Sequence, residues 1–104
     1  HKEMIAQNLK HLVMTSPGEK VMDPDFGVGI RRYFFSQDSP RVRTNIASRI
    51  RNQAEKYMPF LRIGTIDFAP DLAGGGDANL LSITLFYEVP SIGLKQKISI
   101  DTTT

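Results

Sequence analysis

The sequence predicts an α+β fold: two amphipathic helices packed on a three-stranded antiparallel β-meander. Apolar residues recur at helical spacing before residue 60 and alternate with polar ones after residue 61. Helices and strands are thus segregated along the chain, the pattern of α+β rather than of alternating α/β units. The 104 residues are 40% hydrophobic and 23% charged. That is enough apolar surface for a single core and too much for a disordered chain.

The first helix covers residues 1–14, with Ile5, Leu9 and Leu12 on one face and Met4 and Val13 beside them. Thr15-Ser16-Pro17-Gly18 ends it, because Pro cannot continue a helix and Gly suits the turn. Residues 19–29 have no period and read as an ordered loop, anchored by Val21 and Phe26, with Gly27 and Gly29 free to take positive φ. Residues 30–35 form one helical turn or a short extended piece, and the Tyr33-Phe34-Phe35 cluster requires burial. The long helix of residues 40–58 is the clearest element. Ser39 caps it, Pro40 fits its first position and Pro59 stops it. Val42, Ile46, Ile50, Ala54 and Tyr57 form its apolar stripe, with Ala47 alongside and Arg43 at its edge. Arg41, Arg49 and Lys56 project together on the face away from the stripe.

Residues 61–68 form the first strand. Leu61 and Ile63 share one face and Ile66 and Phe68 the other, the phase flipping at Gly64-Thr65, where a bulge would do it. Residues 70–79 are a Gly-rich hairpin loop. Leu81, Ile83, Leu85, Tyr87 and Val89 then alternate on one face, with Phe86 on the other. After a turn at residues 90–93, Leu94, Gln96, Ile98 and Ile100 alternate against Lys95, Lys97, Ser99 and Asp101.

Composition excludes several functions. Cysteine is absent, which removes disulfides, thiolate zinc sites and a cysteine nucleophile. No apolar run approaches the ~18–20 residues that cross a bilayer, so no membrane span is expected. The net charge of +2 is short of a dedicated nucleic-acid binder. With two histidines, one of them terminal and the other (His11) on the polar side of its helix, neither a metal centre nor a serine triad is expected. Gly74-Gly75-Gly76 precedes a strand and lacks the helix N-terminus of a phosphate loop. No cofactor or small-molecule substrate is expected. Glu19, Asp23 and Asp25 are the carboxylates a glycosidase would need, although Asp beside Pro is mostly turn chemistry. The basic helix face reads first as solvated surface and second as a partner contact, for an acidic protein surface or for nucleic-acid phosphates, the latter weakened because no aromatics interleave with it. Lys95 and Lys97 lie on the last strand, where lysine can block pairing, while the same edge can accept a partner strand. Both readings stay open at this point, and the β-prone Thr102-Thr103-Thr104 could lengthen that edge.

The stretch of residues 15–29, with Gly18, Glu19, Pro24, Phe26 and Gly27 at their spacing, resembles the signature loop of the phage baseplate wedge, or sheath-initiator, family of contractile tails. The type VI secretion protein TssE is a relative. The resemblance runs from about Ile5 to Ile100 and includes Tyr87-Glu88-Val89-Pro90-Ser91 and Ile98-Ser99-Ile100, which are similar to T4-like members. It implies one domain over residues 1–104, with room for a segment preceding His1, and a structural role without catalysis, although the family was once labelled lysozyme-like. It further implies other wedge proteins and the tail sheath protein as partners, with the tail tube nearby. The place implied is the virion baseplate, reached from the host cytoplasm during assembly. The partner contacts would be the signature loop (Glu19, Pro24, Asp25, Phe26, Gly27), the segment after the long helix and the last strand (Lys95, Lys97, Ile98, Ile100), which would template the first sheath ring. Arg41, Arg49 and Lys56 could then face an acidic neighbour. Many members carry Glu-Pro-Arg after the long helix. This chain has Met58-Pro59-Phe60, with Arg62 two residues late, so an apolar contact would replace a charged one. A regulatory module of the anti-adaptor type shares this fold and remains an alternative, with a muramidase third.

Overall fold

The structure, a computed structural model, describes residues 2–18, 25–34, 37–71 and 79–101. Its elements are α1 (Lys2–Met14), α2 (Ile30–Phe34), α3 (Pro40–Tyr57), β1 (Arg62–Asp71), β2 (Asn79–Val89) and β3 (Leu94–Asp101), with a 3-10 turn at Pro90–Ile92. The strands lie in the order β1-β2-β3 with both pairings antiparallel, which is the expected α+β meander. Residues 30–34 take the helical option. Glu19, Val21, Asp23, Pro24, Phe35, the Gly74–Gly76 tract and Thr102–Thr104 lie outside the described residues.

α3 begins as its sequence dictates. Ser39 is extended, its Oγ accepts the Val42 N–H at 3.2 Å, and Pro40 occupies a position whose N–H would have no helical partner. Met58 N–H still bonds Ala54 O at 2.8 Å, and Pro59 then prevents continuation. Leu9, Leu12 and Val13 of α1 meet Ile46, Ile50 and Ala54 of α3 and the inner face of the sheet in one buried cluster. Ile83, Leu85, Tyr87 and Val89 supply β2's share of it, and Leu94 and Ile100 that of β3. Each such side chain contributes about 1.5–3 kcal/mol when fully buried.

Two strand details depart from strict alternation. Ile63 faces Tyr87 and Ile66 faces Leu85, so Gly64 and Thr65 together oppose the single residue Phe86. This bulge returns Ile66 and Phe68 to the face of Ile63, and all three pack on the core. The second departure corrects the assignment of Leu81 to the core face. Ala69 faces Ser82 whereas Pro70 faces Leu80, so the register slips by one. Leu80 is buried and Leu81 is 46% exposed. The same pairing carries β1 through Pro70–Asp71 and starts β2 at Asn79, shortening the loop expected at 70–79 from both ends.

Candidate functional site

Residues 25–29 are held between the ends of two helices. On the α1 side, Val28 N–H bonds Leu12 O at 3.1 Å and Gly29 N–H bonds Thr15 O at 2.8 Å. These bonds, with Thr15 N–H and Oγ1–H both donating to His11 O, satisfy carbonyls that a helix end leaves without partners. On the α3 side, the Gln53 side chain accepts Gly27 N–H at 2.8 Å and donates to Asp25 O at 3.0 Å. Arg49 Nη2 donates to Gly27 O at 3.0 Å and to Asp25 O at 3.4 Å. Gly27 has φ +113°, and a Cβ there would lie 2.2 Å from Thr15 O, so only glycine fits. Phe26 is buried, edge-on to Tyr57 at 4.9 Å between ring centres and tilted against His11 at 5.6 Å. Glu19 and Pro24, the remaining signature residues, lie outside the described residues.

Gln53 was not among the residues singled out by sequence. The available signal was its position, three residues after Ile50 on the apolar stripe, where a polar side chain needs an internal partner.

Arg41, Arg49 and Lys56 do not form one solvated face. Arg41 is exposed. Arg49 is half-buried against the loop backbone, and Lys56 Nζ sits 2.7 Å from Asp25 Oδ2. The Lys56 hydrogen bond and charge hold the Asp25 carboxyl below the usual carboxylate range and push the lysine up. Arg43 makes a bidentate pair with Asp38, at 2.9 and 2.7 Å, and lies 5.4 Å from the centre of the Phe68 ring. Its hydrogen bonds to Asp38 lower that carboxyl despite partial burial. Helix side chains this long reach the elements packed beside them, which is why a helical wheel misplaces their charge.

Beyond α3, Met58 is buried, Phe60 is 48% exposed, and Pro59 and Arg62 are exposed. Met58 and Phe60 line a shallow groove with Leu12, Phe26 and Tyr57, and Asn8 and His11 add polar groups to it. Arg62 instead lies in β1, on the outer face of the sheet.

The two sheet edges differ. Arg51 of α3 forks onto β1, donating to Ile63 O at 2.9 Å and to Gly64 O at 2.8 Å. It therefore occupies acceptors at the bulge that an added strand would need. No side chain among the described residues bonds the main chain of residues 94–100 of β3. Lys95 and Lys97 are exposed there, Ile98 is half-buried and Ile100 is buried. Among the described residues no three His, Asp or Glu side chains group to hold a metal ion, and no helix is long and apolar enough to cross a membrane.

A family model described as baseplate wedge protein gp25 matches residues 1–92. No curated protein matches the chain. Among solved structures, a tail-lysozyme candidate from Geobacter sulfurreducens is 26% identical over 94% of this chain and 86% of its own, with a TM-score of 0.73. A chain of the anti-feeding prophage baseplate, seen by cryo-EM, is 26% identical over 80% of this chain and 66% of its own, with a TM-score of 0.62.

Proposed function

We propose a sheath-templating role for this chain, which belongs to the gp25 family of baseplate wedge proteins and so has a structural place in a contractile-tail baseplate. It docks on neighbouring wedge proteins beside the tail tube through the loop at residues 25–29 and the segment at 58–62. It then receives an extended segment of the sheath protein on the outer edge of β3, where Lys95, Lys97, Ile98 and Ile100 set the register. The observation that carries this reading is the asymmetry of the sheet edges: Arg51 occupies the Ile63 and Gly64 carbonyls at the bulge of β1, while among the described residues no side chain bonds the main chain of β3 along residues 94–100. Main-chain hydrogen bonds to an added strand supply affinity, and alternating side chains supply register.

The test uses two proline variants in the producing cells, Ile98→Pro and Ser99→Pro. Along an edge strand, residues alternate between bonding the neighbouring strand and pointing away from it. One of the two variants therefore removes an outward donor and leaves the β2 ladder intact, and the one with the higher melting temperature is the informative one. That variant should leave baseplates assembled but bare of sheath by electron microscopy. Normal sheaths on the stably folded variant would sink the templating reading.

The likeness to a tail-lysozyme candidate favours a second reading, cell-wall hydrolysis. Asp25 does not suit it. A glycosidase acid needs a raised pKa, and the Lys56 ammonium keeps Asp25 ionised. Muropeptide release by the purified protein would support hydrolysis; its absence fits the structural role.

A further inference from the structure

The outer face of the sheet carries a groove that strand templating touches only at Lys95 and Lys97. Inward-facing Ile83, Leu85, Tyr87 and Val89 turn Ser82, Thr84, Phe86 and Glu88 of β2 outward. Phe86 is 36% exposed at the centre of this face. Lys97 stands opposite it on β3, and the Gly64-Thr65 bulge stands opposite it on β1. Gly64 places no side chain beside the ring, and a groove of about 620 Å³ opens there. Its rim is Arg62, Glu88, Lys95 and Lys97, with Glu88 paired in register to Arg62 on one side and Lys95 on the other. Three cations thus share one carboxylate, and among the described residues none of the four makes an ion pair.

The charge changes sign along the strands. Towards the other end the same face presents Asp67 and Asp101 around Thr84 and Ser99, whose hydroxyls bond each other at 3.1 Å. A bound partner is therefore oriented as well as attracted. We infer that this groove is a second docking surface, for an acidic extended segment of a partner protein that seats an apolar or aromatic side chain on Phe86 beside Gly64, between carboxylates that meet Arg62, Lys95 and Lys97. Nucleic acid fits less well. Glu88 sits among the cations where phosphates would lie, and one aromatic ring is a poor stacking platform.

The test needs only the purified full chain, labelled with nitrogen-15. The probe is a blocked Glu-Glu-Phe-Glu-Glu peptide, titrated at low salt. The amides of Gly64, Phe86, Glu88 and Lys97 should shift and saturate across the millimolar range. A Lys-Lys-Phe-Lys-Lys peptide, and the acidic probe on the Lys95→Glu/Lys97→Glu variant, should each bind at least about tenfold more weakly. Phe86→Ser should weaken the acidic probe several-fold, while amides of the buried core keep their positions and show that the variant is folded. Saturation elsewhere, equal binding of the basic peptide, or tighter binding of an oligothymidine would overturn the proposal. So would no saturation at all.

Discussion

The cations of α3 and those of the outer sheet face carry the same charge and do different things. Arg43, Arg49, Arg51 and Lys56 all bond acceptors of their own chain: a carboxylate, a loop backbone, strand carbonyls and a second carboxylate. Arg62, Lys95 and Lys97 bond none among the described residues. The cause is geometric. α3 lies against the 25–29 loop and β1, so its long side chains find neighbours within reach. Side chains on an open sheet face stand perpendicular to it and meet only their cross-strand neighbours. Positive charge on a packed helix can therefore mark internal fastening, although Arg41 of α3 is exposed and bonds nothing among the described residues, whereas the open sheet face gathers three cations that bond nothing there.

The largest effect follows from attacking that fastening at its centre. Gly27→Ala puts a methyl group into the Thr15 carbonyl at a positive φ. Strain plus overlap should cost about 3 kcal/mol or more. For a chain of this size that lowers the melting temperature by roughly 10–20 °C. Gln53→Leu attacks the same joint by leaving Gly27 N–H buried without its acceptor, for about 2–3 kcal/mol in urea unfolding. If both variants melt like the parent, the loop is not fastened and the contrast between the two regions fails.

Much of this was legible beforehand, and what was not has one kind of cause. Ser39-Pro40 and the stripe from Val42 to Tyr57 specify α3 locally, and the alternation from Ile83 to Val89 specifies the inner face of β2. Leu81 was misplaced because alternation cannot register the slip at Ala69–Pro70, which depends on the paired strand. The joint at Gly27 was half legible: glycine pointed to unusual backbone, but its partner Gln53 is 26 residues away. The destinations of Arg49 and Lys56 were equally out of reach, since a helical wheel carries direction and no neighbours.

A smaller effect sharpens the comparison through pH. Lys56 holds Asp25 ionised by a hydrogen bond first and by charge second, with Arg49 adding to it. The folded carboxyl therefore titrates below its unfolded counterpart. Its stabilising share is present above about pH 4 and is lost as pH falls through the lower folded value. A carboxyl-detected NMR titration should show Asp25 depressed in the parent and moved back towards the ordinary range in Lys56→Ala. An unmoved midpoint would show that this pair is not a fastening. Both side chains are well exposed, so salt should weaken the effect.

The smallest effect is the most discriminating. If Lys95 and Lys97 fasten nothing, replacing them should hardly matter to the folded chain. Lys97→Ser removes a cation that faces Phe86 and leaves the Thr84–Ser99 hydroxyl pair untouched. Adding Lys95→Ser forfeits only an exposed cross-strand attraction to Glu88, of the order of 0.5 kcal/mol. The double variant should thus unfold within about 0.5–1 kcal/mol of the parent in urea. It should also hold that difference in high salt, because little charge attraction is being removed. A loss of several kcal/mol would mean that these lysines are internal fasteners like those of α3, and the sheet face would no longer stand apart. Unchanged stability together with lost binding of an acidic segment is what separates a surface kept for a partner from one that merely completes the fold.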